Sequence, residues 1–431
     1  MPSLWSETVK LPSFPALERD LNTDVLIVGG GLAGILCCYL LTQAGVDCVL
    51  LEARTICSGV TKDTTAKITS QHGLVYQKLV KEFGAETARL YYDANQAALD
   101  RYRVLCAGMD CDFETKDSFI YTRENRAPLE REMAALEEME VRATLVDKLP
   151  LPFPTAGAVS FPYQAQFNPL KFVAHIAPGL PIYEHTALRE FLPDMVLTYD
   201  HVIGAKRVVV CTHFPLLNKH GSYFLKLYQE RSYVLALENG PDVGGMYLDG
   251  EGNGPSLRNY GSYLLLGGGN HRTGHPGEGW TGLSSLANRY FPGKREVGRW
   301  ATQDCMTLDG VPYIGQYSAN TPDLYVATGF NKWGMTSAMA AAMLLTDLLT
   351  GQENPYAPVF DPSRTILRPQ LAVNAVEAAA DFMTFGERRC PHMGCALKWN
   401  SQERSWDCPC HGSRFTEDGK LLDNPATGDL S

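Results

Sequence analysis

The 431-residue chain has no basic block: 38 Lys and Arg face 48 Asp and Glu, for a formal net charge of -10. Phosphate backbones are gripped by basic stripes, so this balance argues against a nucleic-acid partner. Also lacking is a secretory signal, because Met1 to Asp24 has no basic start followed by an apolar run. The chain is therefore expected in the cytoplasm. Internal repeats and low-complexity tracts are missing as well. One stretch, Val25 to Val46, carries no charge and is long enough to span a bilayer. Gly29, Gly30, Gly31 and Gly34 fall inside it, and glycines so spaced suit a ligand loop better than a membrane helix. No transmembrane segment is expected.

What is present fits a globular enzyme of two or three domains, with 45% hydrophobic and 20% charged residues. Of the twelve cysteines, eight are scattered (37, 38, 48, 57, 106, 111, 211, 305) and read as reduced core residues. The other four sit between positions 390 and 410 and read as a metal site.

Asp24 to Val28 is a short β-branched, apolar run suited to a buried parallel strand, Leu32 to Ala44 reads as a helix, and Cys48 to Leu51 as the next strand. Together they make a βαβ unit. A helical period runs from Leu74 to Leu105. Lys206 to Cys211 and Asp323 to Ala327 are two more buried-type strands, the second leading into a helix from Met335 to Leu349. Residues 351–365 read as a linker, and Leu371 to Phe385 as an amphipathic helix.

The turn between the first strand and helix carries Gly29, Gly31 and Gly34, which serve a tight turn, close approach to a pyrophosphate and helix–strand packing. The helix start offers unpaired N–H groups and a positive dipole end. Glu52 ends the second strand, where a carboxylate accepts from ribose hydroxyls. These features point to a dinucleotide and do not separate FAD from NAD.

Residues 22 to about 350 resemble the flavoprotein family of D-amino-acid, glycine and sarcosine oxidases. The matching pieces are Asp24 to Gly34, Leu50-Leu51-Glu52-Ala53-Arg54, Val208 to Thr212, Asp309 to Gly315 and Leu324 to Thr336. The resemblance implies FAD, held by Gly29, Gly31, Gly34, Glu52, Ala53, Arg54 and Thr212. It also implies that Gly329, Trp333, Gly334, Met335 and Thr336 lie against the flavin ring, with Thr65 and Lys67 near pyrophosphate and flavin. A helix starting near Met335 would aim its positive end at the reduced ring.

Cys390-Pro391-His392 and Cys408-Pro409-Cys410-His411 give C-x-H and C-x-x-H pairs. Two thiolates and two imidazoles suit a [2Fe–2S] cluster. A structural zinc site could use the same two Cys and two His, although the C-x-H order with a bracketing Cys pair is unusual for zinc. The arrangement resembles the Rieske ferredoxin family, which implies Cys390, His392, Cys408 and His411 as iron ligands. By the same resemblance Cys395 and Cys410 form a disulfide, and Ser413 donates to a cluster sulfur. Phe415 stands where high-potential members carry Tyr, so a hydrogen bond is missing and a lower potential is expected. Few residues precede Cys390, so the module is truncated and is expected to dock on the flavoprotein body or a neighbouring subunit.

The expected fold is α/β (more strictly α+β). A Rossmann-like FAD-binding domain covers 1–107, 156–215 and 301–350, with an interleaved β-rich substrate domain at 108–155 and 216–300. A linker and helix occupy 351–385, and a small all-β truncated Rieske module 386–431. A flavin beside a one-electron cluster implies an oxidoreductase acting on a small-molecule substrate. The simplest scheme is a dehydrogenase that oxidises a carbon–nitrogen bond and sends electrons to a one-electron redox carrier. Reverse flow in a reductase fits too, as does a redox sensor without turnover. His271, Arg258 (as a carboxylate clamp) and Tyr233 are the catalytic candidates, each with packing as its ordinary alternative. A homo-oligomer is allowed and not specified.

Overall fold

Apolar strands buried on both faces organise the first half of the molecule, which we describe from a computed structural model. The described residues are 2–430 except 193–194, 218–219, 253, 369, 375 and 377–387. Leu21–Val28 pairs in parallel with Cys48–Leu51 on one side and Val202–Val210 on the other. The sheet extends to Ile182–Tyr183 at one edge and through Leu324–Thr328 to Tyr313–Gln316 at the other. Val25 and Ile27 join a core with the helices Leu32–Gln43 and Gly334–Leu349, whereas Leu26 and Val28 pack with Val49, Leu51 and Ile203 on the opposite face. Burial on both faces is what makes these strands read as continuous apolar runs. No helix among the described residues is long and apolar enough to cross a membrane.

A second, mostly antiparallel sheet runs in the order Glu296–Thr307, Leu227–Glu238, Tyr263–Arg272, Ser256–Tyr260, Met246–Asp249, Glu114–Thr122, Gly157–Gln166 and Lys67–Ile68. Its faces are used differently. On Leu227–Glu238, Val234 and Ala236 enter the main core, while Tyr233, Leu235 and Leu237 pack with Leu283 and Ala287 of the helix Gly279–Tyr290. The period of two thus sets one row toward the first sheet and the other away from it.

Four short strands, Lys398–Asn400, Ser405–Asp407, Arg414–Thr416 and Leu421–Asp423, form an antiparallel meander near the C-terminus. It docks on the body of its own chain. Gln402 Oε1 accepts from Trp280 N at 2.9 Å, and Asn424 Nδ2 donates to Thr212 O and Phe214 O at 2.6 and 2.9 Å.

The expected boundaries shift in three places. Gly157–Gln166 and Glu296–Thr307 belong to the second sheet, not to the dinucleotide-binding portion, because they pair there along their lengths. The helical stretch Leu74 to Leu105 is two helices, Tyr76–Phe83 and Ala85–Cys106, broken at Gly84, whose φ of 83° is left-handed. The linker 351–365 is packed, not free: Phe360 is buried, and Arg364 grips buried Asp309 at 2.7 and 2.9 Å. The helix expected over Leu371 to Phe385 falls mostly on residues outside the described set.

Candidate functional site

The turn after Leu21–Val28 must bring three backbones together, and its glycines show why. A Cβ on Gly29, where φ is 110°, would sit 2.6 Å from Cys211 O, and one on Gly34 would sit 1.9 Å from Gly29 O. Glu52 braces the turn from the next strand, accepting from Gly30 N at 2.7 Å and from Arg54 N at 2.8 Å. Leu32–Gln43 starts at Gly31, which has no side chain to cap it; Leu32 N donates to Thr61 Oγ1 at 3.0 Å, and the other N–H groups of the first turn are left for an anion.

From this turn a cavity of about 460 Å³ runs between the two sheets. Gly29, Gly31, Glu52, Ala53, Arg54, Thr65, Lys67, Thr212, Gly329, Trp333, Gly334 and Met335 all line it. Gly34 and Thr336 stand one layer back. Gly34 seats helix against strand, and the buried Thr336 hydroxyl donates to Thr69 O at 3.1 Å. Gly334–Leu349 also starts without a side-chain cap, and a Cβ on Gly334 would meet nothing within 4 Å. That opening over a positive helix end is the shape a flavin ring's anionic edge requires, and the cradle as a whole fits a dinucleotide.

The substrate candidates are not gathered there. Tyr233 borders the cavity, but its side chain lies on the far face of the sheet, against Trp280 with ring centroids 5.1 Å apart. Its hydroxyl meets His271 Nε2 at 2.9 Å and Glu403 Oε1 at 3.0 Å. Arg258 is buried and donates to Thr65 O and Ala66 O at 2.7 and 2.8 Å, so it holds the Thr65–Lys67 segment instead of reaching into the cavity.

Other side chains occupy the inner wall. Lys67 Nζ lies 3.3 Å from both Thr65 Oγ1 and Ser256 Oγ, and burial, with nearby Arg258, pulls it down to about 7. Lys332 Nζ pairs with Glu230 at 3.0 Å and Asp304 at 3.4 Å. Burial alone would lower it, yet the two carboxylates hold it above the ordinary lysine value. His72 stacks on Trp333 at 4.8 Å, its pKa lowered by burial to about 3. His213, with a left-handed φ of 66°, lines the cavity next to Thr212, and burial lowers its pKa too.

The four candidate metal ligands converge beside this cavity. Cys390, Cys408 and His411 are buried, and the His392 and His411 rings stand 5.0 Å apart and perpendicular. Burial drops His392 to about 4 and His411 to about 3, so both imidazoles are neutral, as metal binding requires. Main-chain N–H groups of His392 and Met393, with the Ser413 hydroxyl, point at Cys390 Sγ; those of Cys410 and His411 point at Cys408 Sγ. His411 Nε2 donates to Phe224 O at 3.1 Å, while its Nδ1 is buried with no hydrogen-bond partner. An orphaned imidazole nitrogen beside two thiols is a donor set that iron fits. Cys395 and Cys410 form a disulfide, with Cα atoms 6.6 Å apart, bracing the two loops. Cys408 Sγ lies near both disulfide sulfurs, but sulfurs bonded to each other are not thiolate ligands.

Module and body share the cavity. Leu421, Leu422, Asp423, Asn424, Ala426 and Thr427 form part of its wall, and Arg54 Nη1 donates to Leu422 O at 3.1 Å. Gln229, His213, Glu403 and the inner-wall pairs went unread in the sequence. The usable signal was the strand Leu227–Glu238, whose alternate residues Gln229, Arg231 and Tyr233 are all polar on one face.

A family model described as FAD dependent oxidoreductase matches residues 24–348, and one described as Rieske [2Fe-2S] domain matches residues 365–431. The putative Rieske 2Fe-2S iron-sulfur protein YhfW of Bacillus subtilis (strain 168) is 34% identical, across 98% of this chain and 95% of its own. Gamma-glutamylputrescine oxidoreductase of Escherichia coli (strain K12) is 23% identical, across 85% and 94%. The crystal structure of glycine oxidase from Geobacillus kaustophilus shares the fold with a TM-score of 0.67 and 19% identity, covering 80% of this chain and 99% of that one.

Proposed function

Because the chain belongs to the FAD dependent oxidoreductase family and ends in a Rieske [2Fe-2S] domain, we propose that it is an amine or amino-acid dehydrogenase that exports electrons singly. The observation that carries this reading is the shared wall: one cavity is bounded by the glycine turn, the Gly334 helix end and the cluster module. FAD supplies hydride acceptance from carbon, and the cluster supplies one-electron exchange with a carrier. Gamma-glutamylputrescine and glycine, in the names of two similar proteins, both bear an amine. That supports a carbon–nitrogen bond as the target.

The chain's own residues divide the work. The N–H groups of Gly31 and Ala33 would hold the pyrophosphate, Leu32 N being bonded to Thr61, and Glu52 would take the ribose. The uncapped, open Gly334 helix end would stabilise negative charge on a flavin ring held in the cavity. Lys67, set among hydroxyls in a dry wall, accepts a proton from the substrate ammonium, leaving the neutral amine from which hydride departs. Glu230 and Asp304 neutralise Lys332, so that wall does not repel a cationic substrate. The electron acceptor is an external one-electron carrier. Eight unpaired cysteines outside the cluster motif, among the described residues, support a reducing compartment, the cytoplasm.

Anaerobic titration of the full-length protein with small amines tests the reading. The flavin bands should bleach, followed by the low-g electron-spin signal of a His-ligated cluster. Flavin bleached only from the carrier side would reverse the direction of flow. Zinc in place of iron, or a flavin reducible from neither side, would end the proposal.

A further inference from the structure

Gln229 stands between the cluster loop and the cavity with every polar position engaged. Its Nε2 donates to the main-chain oxygen of His411 at 2.7 Å and to Asn424 O at 3.1 Å. Its Oε1 accepts from His213 Nε2 at 3.1 Å and from Gln303 Nε2 at 2.6 Å. A primary amide can do no more than this. The contact is close enough that only glycine fits at position 412, where a Cβ would lie 2.6 Å from Gln229 Cβ.

His213 is fixed as firmly at the other end. Its backbone is left-handed, a conformation that persists in a non-glycine residue only when its surroundings over-determine it. Asn424 bonds the carbonyls on either side of it, and Thr328 Oγ1 donates to its own carbonyl. The cluster module thus holds the residue through which it reaches the cavity. The two histidines are unequal in turn: both rings meet Phe214, at 6.1 and 6.3 Å, but His411 is buried and also lies against Phe224 of the body, whereas His392 is half-buried.

We infer that His213, Gln229 and the main chain of His411 form the electron route between the flavin cavity and the cluster, with His411 the inward-facing ligand. The inference rests on the proposed function. Two hydrogen bonds and one side chain connect a cavity-lining imidazole to a ligand residue, and electronic coupling falls less steeply through bonded atoms than across gaps. Each transit moves one electron. The reduced flavin loses it, one ferric ion becomes ferrous, and the external one-electron carrier reoxidises that ion before the second electron follows. Protons leave to water and not along this path, since the Gln229 amide has no position that titrates.

The test uses the full-length protein loaded with both cofactors. The flavin is photoreduced in a flash, and bleaching of the cluster bands is followed in the wild type, Gln229→Met, His213→Phe and Gln402→Met. Gln402 docks the same module on Trp280, away from the route. Transfer should slow by about an order of magnitude in Gln229→Met and His213→Phe and hold its wild-type rate in Gln402→Met. The cluster's electron-spin signal and both midpoint potentials should not move. Unchanged transfer in the first two variants overturns the route, and so does equal slowing in Gln402→Met, which would make docking the cause. Absence of transfer in the wild type would instead overturn the proposed function itself.

Discussion

Lys67 and Lys332 line the same cavity in opposite company, and the contrast fixes what each does. Lys332 has two carboxylates within 3.4 Å and stays charged. Lys67 has hydroxyls, and burial with Arg258 nearby brings it to about 7. Below that pH it carries a proton and cannot take one from substrate; above it, it can. The rate of anaerobic flavin bleaching by an amine is therefore expected to rise through pH 7, and Lys67→Met should erase that limb while leaving flavin bound. The same limb in Lys67→Met would remove Lys67 from proton transfer. Gly34 makes a different claim. A methyl group there meets Gly29 O at 1.9 Å, backbone against backbone, with no side chain to yield. Overpacking of this kind costs roughly 1–3 kcal/mol and lands on the turn that carries the pyrophosphate. Gly34→Ala should purify with little flavin, read from the ratio of visible to near-ultraviolet absorbance, and full flavin content would contradict the packing argument.

The strand Leu227–Glu238 ties the parts together through its alternation. Gln229, Arg231 and Tyr233 face the cluster module, Leu235 and Leu237 face the helix Gly279–Tyr290, and Glu230 and Ser232 reach Lys332 on the inner side. Arg231 forms a buried pair with Glu403, which also binds Arg414 at 2.8 Å. Removing Glu403 would leave buried Arg231 without its carboxylate, a loss of about 3–5 kcal/mol, while Arg414 keeps Asp407 and Asp423, each at 3.0 Å. Burial opposes ionisation of Glu403, but the two arginines outweigh it and hold the carboxyl down to about 2, against 4.5 ordinarily. A depressed carboxylate stabilises the fold fully above its unfolded value and ceases to as pH falls through the folded one. Docking should therefore weaken between about pH 4.5 and 2, and Glu403→Gln should release the module at neutral pH, as faster proteolysis ahead of Cys390. Equal resistance in the variant would show the pair to be dispensable. The same strand marks where sequence reading ended. The parallel strands and glycine turn were legible because burial on both faces and close backbone approach leave local marks. The metal ligands were legible because four of them lie in two short loops. The inner wall was not, since Lys67 meets Ser256, and Glu230 meets Lys332, across long stretches of chain. Nor did alternation alone say which face of this strand met the cavity, because both faces are covered; Tyr233 and His271 proved to be on the outer one.

Across the whole molecule the cluster module was expected to dock on the flavoprotein body or on a neighbouring subunit; it docks on the body of its own chain, and the two cofactor sites are enclosed by one another's residues. The cavity's wall includes Leu421 to Asp423 of the module, and the module's proposed ligand His411 is buried against Phe224 of the body. A free tether would let the cluster swing. Here the start of the connecting segment is pinned by Arg364 on Asp309, and the module by Glu403 and Asn424. None of these contacts uses a cluster ligand, and the Cys395–Cys410 disulfide holds the two loops without iron. Small metal modules commonly unfold when emptied, because binding energy is folding energy; this one has other anchors. The double variant Cys390→Ser and Cys408→Ser is accordingly expected to lose iron and keep FAD. An amine should still bleach its flavin at the wild-type rate, while reduction of a one-electron acceptor drops to whatever the flavin manages directly. Flavin lost together with iron would mean that the cluster, and not the ion pairs, closes the cavity. Acceptor reduction surviving without iron would mean that electrons leave the flavin by another face, and the shared wall would be packing alone.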